Sequence, residues 1–172
     1  MPNEPLILAI DPGRHTGYAL VGLNTENIIE VGLLDRGEPY YKERIKTLIR
    51  RADYLAIEAQ YIADGRKGGL RVSMQNVQRI IEAKQEVITL WSEIHPDGNN
   101  TPIQFQPRQW QCAIGIKAKY SYEIKLASMK IASLFTHRNI ASPDMADAVN
   151  IGKYAVGQIR AAELKLKAVE GR

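Results

Sequence analysis

The sequence predicts an α/β fold in which a mixed sheet of five strands is flanked by helices. Short apolar runs bounded by turn residues dominate the first 60 residues and are typical of strands, whereas apolar residues recur at helical spacing in much of the remainder. The 172 residues, 45% of them hydrophobic, are enough to bury one sizeable core. We therefore expect a single domain spanning residues 1–172.

The first part of the chain contains four candidate strands and one helix. Residues 6–10 are an apolar run that ends in Asp-Pro-Gly, and residues 16–23 and 27–34 are rich in strand-forming residues. These three segments predict an antiparallel start to the sheet. Residues 41–51 have the apolar stripe of a short helix, and residues 54–58 form an apolar strand that ends on a carboxylate.

The second part of the chain is mainly helical. Its longest helical pattern runs from residue 70 to about residue 94 and stops at His-Pro-Asp-Gly-Asn-Asn. A short strand and two helices are predicted next, over residues 103–106, 109–114 and 121–136. Ser142 is suited to cap a final helix and Pro143 to occupy its first position.

The charge of the chain is unevenly distributed. Residues 1–104 hold 12 Lys and Arg against 14 Asp and Glu, whereas residues 105–172 hold 11 against 5. A basic half suits a polyanionic substrate, although a basic protein that binds nothing has the same composition.

Composition also excludes several classes of protein. A single cysteine, Cys112, excludes an internal disulfide and a cysteine-based zinc site. No stretch approaches the roughly 18 apolar residues that span a bilayer, and the first residues lack the pattern of a signal peptide. We therefore expect a protein of the bacterial cytoplasm, or of the host cytoplasm if its source is a virus, with no membrane partner.

Four carboxylates stand where the predicted elements would bring them together. Asp11 and Glu58 end two strands, and Asp144 and Asp147 share one side of the first turn of the last helix. Each also has an ordinary explanation, because aspartate is common before Pro-Gly, a glutamate at a strand end can be simply solvated, and acids suit helix starts. Phosphodiester hydrolysis uses two divalent ions about 3.5–4 Å apart, and Mg²⁺ prefers carboxylate oxygens. Taken together, the four acids predict a two-metal hydrolytic site.

Four motifs resemble those of RuvC-like Holliday-junction resolvases, which belong to the RNase H-like superfamily. In chain order they are ILAIDPGRHTGYALV, LAIEAQYIA, IGIKAKYSYEIK and SPDMADAVNIGKYA, which together extend over nearly the whole chain. The resemblance implies an RNase H-like fold and a homodimer that nicks four-way DNA junctions symmetrically with two Mg²⁺ or Mn²⁺ ions. It assigns catalysis and metal binding to Asp11, Glu58, Asp144 and Asp147.

The same resemblance implies a catalytic lysine and a DNA-binding surface. Lys117 and Lys119 both lie near the family's lysine position and Lys125 follows one to two turns later, so the role is assigned to this region. Tyr61 occupies the position where the family has an aromatic residue that wedges into the junction. The alternative is that Tyr61 packs beneath its own loop. We expect further DNA contacts from Arg66, Lys67, Arg71, Arg108 and Lys125.

The helix predicted from residue 70 to residue 94 has a longer apolar stripe than packing on a small sheet requires. By resemblance it pairs across the dimer two-fold, and packing on its own sheet accounts for part of the stripe. Three other functions are compatible with parts of the pattern: a nuclease for RNA–DNA hybrids or other branched DNA, a non-catalytic junction-binding module, and a sugar-kinase-like ATPase. The last is disfavoured because 172 residues leave no room for its second domain.

Overall fold

The computed structural model describes residues 4–59, 74–97 and 101–170. Within these ranges the strands are β1 (Leu6–Asp11), β2 (His15–Gly22), β3 (Ile28–Asp35), β4 (Tyr54–Glu58) and β5 (Ile103–Phe105). The helices are α1 (Tyr41–Ile49), α2 (Met74–Ile94), α3 (Pro107–Ala113), α4 (Ser121–Thr136) and α5 (Pro143–Glu170). Across these described ranges, none of the helices has both the length and the apolar character needed to cross a bilayer.

The five strands form one sheet in the order β3-β2-β1-β4-β5. The pairs β1–β2 and β2–β3 are antiparallel, and the pairs β1–β4 and β4–β5 are parallel. Parallel neighbours need a crossover connection, and α1 and α2 lie in the segments that connect β3 to β4 and β4 to β5. The predicted mixed sheet and its antiparallel start are confirmed.

The central strand β1 is buried on both faces, and its side chains alternate between two cores. Leu8 and Ile10 belong to the core that contains residues of α1 and α2. Ile7 and Ala9 belong to the core that contains residues of α3, α4 and α5. Because successive side chains of a strand point to opposite faces, this alternation fixes which face each later residue of the strand occupies.

Small residues let α5 lie close to the sheet. Ala9, Ala19 and Ala56 line the sheet on the α5 side and are fully buried. A Cβ on Gly152 of α5 would lie 2.6 Å from Cγ2 of Val21 and 3.2 Å from Cβ of Ala9. The helix therefore contacts the sheet at a distance that a larger side chain at position 152 would prevent.

The apolar stripe predicted for α2 divides into two faces. Ala83, Val87, Leu90 and Trp91 are the buried side chains, and the last three pack in the core with α1. Ile81, which belongs to the predicted stripe, is 41% exposed. Packing against the chain's own sheet thus accounts for one face only, and the start predicted at residue 70 lies outside the described residues.

Candidate metal centre

Strand alternation places Asp11 and Glu58 on the same face of the sheet. Asp11 follows Ala9 by two residues in β1, and Glu58 follows Ala56 by two residues in β4; both alanines lie in the core beneath α5. The two strands are parallel neighbours in a register that pairs Ala9 with Ala56. Neighbouring strands lie about 4.8 Å apart, so the two carboxylates end adjacent strands at one edge of the sheet.

The first turn of α5 reaches the same edge because β2 has no side chain at Gly17. Gly17 pairs with Asp11, and a Cβ there would lie 1.9 Å from the backbone oxygen of Asp144. Helix and strand backbones are therefore in direct contact, which brings Asp144 and Asp147 beside Asp11. The sequence analysis quoted Gly17 within a motif but gave it no role; a glycine inside a strand is the available signal for such an approach.

The four carboxylates share one electrostatic environment. Burial raises the pKa of Asp11 well above its ordinary value, and the negative charges of Glu58, Asp147 and Asp144 raise it further. Burial and the charge of Asp147 raise the pKa of Glu58 to about 7. Burial, together with the charge of Asp144, raises the pKa of Asp147 to about 6. The negative charges of Glu58, Asp144 and Asp147 thus each disfavour the ionised form of at least one other acid of the group.

Trp110 holds one oxygen of Glu58. The indole N–H donates to Oε2 of Glu58 at 2.9 Å, and this bond opposes the rise in the glutamate's pKa. Trp110 is fully buried on α3, so the indole is fixed by the core around it. The sequence analysis assigned no role to Trp110, although a buried tryptophan usually needs an acceptor for its N–H.

Two buried polar residues stand behind Asp147. The hydroxyl of Ser128 donates to Oδ1 of Asp147 and lowers its pKa. Nδ2 of Asn150 donates to Oγ of Ser128 at 2.8 Å and to the Ser128 carbonyl at 3.1 Å. Both Ser128 and Asn150 are fully buried, and the sequence analysis identified neither.

Lys125 is the lysine that the structure associates with the acids. Its positive charge lowers the pKa of Asp11 and of Asp147. Lys117 and Lys119 are exposed in the segment between α3 and α4, and Nζ of Lys119 lies 5.9 Å from the ring centre of Tyr120. Lys125 also lies three residues before Ser128, which contacts Asp147, and the catalytic role expected of Lys117 or Lys119 stays a prediction.

The other residues predicted to contact DNA are only partly described. Arg108 is exposed on α3. Tyr61, Arg66, Lys67 and Arg71 lie outside the described residues. Their predicted roles therefore stay predictions.

The chemistry of this cluster fits a divalent cation. Carboxylate oxygens are the ligands that Mg²⁺ and Mn²⁺ prefer, and a cation would relieve the mutual repulsion that raises the carboxyl pKa values. Within residues 4–59, 74–97 and 101–170, no group of three or more Asp, Glu, His or Cys side chains is spaced closely enough to hold one ion. The fit to a divalent cation therefore rests on the carboxylate donors and on the repulsion between their charges.

Comparisons with known proteins agree with the architecture. No family model matches the sequence, and no curated protein matches it. RuvC of Thermus thermophilus in complex with a Holliday-junction substrate is similar in structure, with a TM-score of 0.61 and 17% identity over 88% of this chain and 93% of that one. A second Thermus thermophilus RuvC structure has the same TM-score and identity over 91% and 96%.

This likeness shows the fold. The chain has an RNase H-like fold of the RuvC type, with five strands in the order described above and helices on both faces of the sheet. The fold class predicted from the sequence is confirmed.

Proposed function

We propose that this chain is a metal-dependent endonuclease domain that resolves four-way DNA junctions by symmetric nicking. The observation that supports this best is the convergence of Asp11, Glu58, Asp144 and Asp147, whose charges act on one another at one edge of a RuvC-type sheet. Burying several acids close together destabilises the folded state, and a purely structural role would not compensate for this loss of stability. The junction as substrate is supported by the fold and by the RuvC structure that contains one.

The carboxylates would hold two Mg²⁺ or Mn²⁺ ions, which when bound supply charge neutralisation at the phosphate and a nucleophilic water at neutral pH. Asp11 and Glu58 act from strand ends, and Asp144 and Asp147 act from the helix that contacts them. Hydrolysis in this manner leaves 5′-phosphate and 3′-hydroxyl ends.

Three neighbours of the acids have separate tasks. Trp110 and Ser128 each fix one carboxylate oxygen by donating a hydrogen bond, so that Glu58 and Asp147 enter the reaction already oriented. Lys125 brings a positive charge toward the same centre, where negative charge develops on the phosphate in the transition state. A preorganised charge of this kind lowers the barrier without reorganisation during the reaction.

Symmetric nicking requires two copies of the site related by a two-fold axis, and we propose a homodimer formed through α2. The face of α2 that its own core leaves exposed, which includes Ile81, supports this arrangement. The variant Ile81→Glu should sediment as a monomer and lose coordinated nicking of opposite strands. A variant that stays dimeric and coordinated would exclude α2 as the interface.

A panel of labelled four-way, flap, linear and RNA–DNA substrates, with and without Mg²⁺, tests the substrate. We expect paired nicks in opposite strands of the four-way junction, only when Mg²⁺ is present. Preferential cutting of the RNA strand of the hybrid would replace the proposal with a ribonuclease function.

The variant Asp147→Asn tests the chemistry independently of DNA binding. It removes a negative charge and little volume, so cleavage should be abolished while junction binding is largely retained. The matched control Asp97→Asn changes an exposed aspartate beyond the end of α2 and should cleave like the parent. Full cleavage by Asp147→Asn in Mg²⁺ would contradict the assignment.

A further inference from the structure

Two tyrosines at the start of α4 are stacked on each other at the surface. Tyr120 is 57% exposed and Tyr122 is 64% exposed. Their ring centres lie 6.3 Å apart, and their planes differ by only 17°. Aromatic rings usually contribute to stability by burial, so two parallel rings left in solvent are available to a ligand.

The pair lies close to the carboxylate centre. Tyr122 precedes Lys125 by three residues, so the two share a face of α4 and are separated by about 4.5 Å along the helix axis. The charge of Lys125 acts on Asp11 and Asp147. Ser128, three residues beyond Lys125 on α4, donates to Oδ1 of Asp147, so the stacked rings lie on the helix that contacts the carboxylate centre, about two turns before that contact.

The surroundings of the pair are positively charged. The segment from Arg108 to Lys130 contains five basic residues and one acidic residue. Nζ of Lys119 lies 5.9 Å from the ring centre of Tyr120, within reach of a cation–π contact. This combination of cations and exposed aromatic faces suits a nucleotide strand, whose phosphates meet the lysines while its bases stack on the rings.

The single acid of this segment holds the tyrosines in place. Oε2 of Glu123 accepts the backbone N–H of Tyr120 at 3.4 Å, and Oε1 accepts the hydroxyl of Tyr122 at 3.3 Å. The Tyr122 ring and the backbone at Tyr120 are thus partly fixed before any ligand arrives, which reduces the entropy lost on binding.

We propose that Tyr120 and Tyr122 form a stacking platform for an unpaired nucleobase of the DNA strand that enters the carboxylate centre. A base within a duplex has both faces covered, so the platform favours strands that are opened at a branch point. The identity of that strand rests on the proposed function, whereas the stacking itself does not.

The test uses DNA that contains 2-aminopurine, whose fluorescence is quenched when it stacks on an aromatic ring. The probe is placed in a single-stranded oligonucleotide and, separately, beside the branch of a four-way junction, with Ca²⁺ in place of Mg²⁺. The parent should quench both probes. The double variant Tyr120→Ala/Tyr122→Ala should lose the quenching and bind about 5- to 100-fold more weakly, the range expected for the loss of base stacking.

Two variants serve as controls. Tyr120→Phe/Tyr122→Phe keeps both rings and loses only the hydroxyls, so it should retain the quenching that the alanine variant loses. Tyr40→Ala removes a tyrosine that is 74% exposed just before α1, on the other side of the sheet, and should also leave the quenching unchanged. If the double alanine variant melts at a lower temperature than the parent, the single variant Tyr122→Ala carries the same comparison.

If the alanine variants quench the 2-aminopurine probes and bind the DNA as strongly as the parent, the platform proposal would be overturned. The proposed function fails in a different way: a parent that quenches the single-stranded probe but never nicks a junction would overturn junction resolution and support the platform. If the parent and the alanine variants both nick junctions and quench the probes equally, the platform alone would be overturned.

Discussion

Replacing Gly17 by alanine tests how the fold assembles the carboxylate centre. The new Cβ would lie 1.9 Å from the backbone oxygen of Asp144, 2.4 Å from its carbonyl carbon and 3.0 Å from the nitrogen of Met145. Real Cβ contacts essentially never fall below 3.0 Å, so the start of α5 has to move away from β2 by about 1 Å. Because the atoms in contact are backbone atoms, no side-chain rotation relieves the clash.

The expected effects follow from this displacement. Overpacking of this kind costs about 1–3 kcal/mol, which lowers the melting temperature of a chain this long by roughly 2–12 °C. Asp144 and Asp147 move with the helix, and a misplacement of about 1 Å at a catalytic centre can reduce the rate about 100-fold. We therefore expect a modest loss of stability together with a large loss of junction cleavage.

The assay pairs thermal unfolding, followed by circular dichroism, with single-turnover cleavage of a four-way junction in Mg²⁺. Gly157→Ala is the matched control, because a Cβ at this position of α5 meets nothing within 4 Å. It should stabilise the helix by about 0.5–1 kcal/mol and leave cleavage unchanged. A Gly17→Ala variant that melts and cleaves like the parent would refute the reasoning.

Three further perturbations address the immediate neighbours of the acids. Trp110→Phe removes the donor to Glu58 and should raise the Mg²⁺ concentration for half-maximal cleavage about 10- to 100-fold, the range typical of groups that orient metal ligands. Ser128→Ala removes the donor to Asp147 and should act in the same direction, whereas Ser92→Ala, which removes an exposed hydroxyl from α2, should leave the Mg²⁺ dependence unchanged. In EDTA the melting temperature should fall as the pH rises from about 5 to about 8. In this range the folded protein keeps protons on Glu58 and Asp147 that the unfolded chain has already released, and these protons stabilise the fold. The stabilisation is lost as the pH passes the folded pKa values, about 6 for Asp147 and about 7 for Glu58. Mg²⁺ should restore more of the melting temperature at pH 8 than at pH 5, and a curve that is flat and insensitive to Mg²⁺ would contradict the electrostatic account.

The sequence predicted the elements that carry the acids better than it predicted their orientation. The apolar runs of β1 and β4 locate both strands, and their last residues are Asp11 and Glu58. However, Leu8 and Ala9 are both apolar because β1 is buried on both faces, so no polar alternation reveals which side of the sheet Asp11 faces. That information appears only when the register with β4 and the two cores are known.

The residues that orient the acids were missed because their partners are distant in the sequence. Trp110 and Glu58 are 52 residues apart, and Asn150 and Ser128 are 22 residues apart. No local periodicity encodes such pairs, and a buried serine or asparagine has the same sequence context as an exposed one.

One helix boundary was also placed too late, for a local reason. The prediction began the third helix at residue 109, whereas α3 begins at Pro107. Proline suits the first position of a helix, and the side chain of Gln109 accepts the backbone N–H of Gln106 at 2.7 Å, which closes the helix start. This information was present in the sequence.

The central claim is that the four carboxylates form one divalent-metal site, and titration with Mn²⁺ tests it most directly. Free Mn²⁺ is followed by electron paramagnetic resonance for the parent, Asp11→Asn, Asp147→Asn and the control Asp97→Asn. We predict saturable binding of up to two ions per protomer in the parent and the control, with a marked loss in the other two variants. Equal Mn²⁺ binding by all four proteins, or no saturable binding by the parent, would contradict the account.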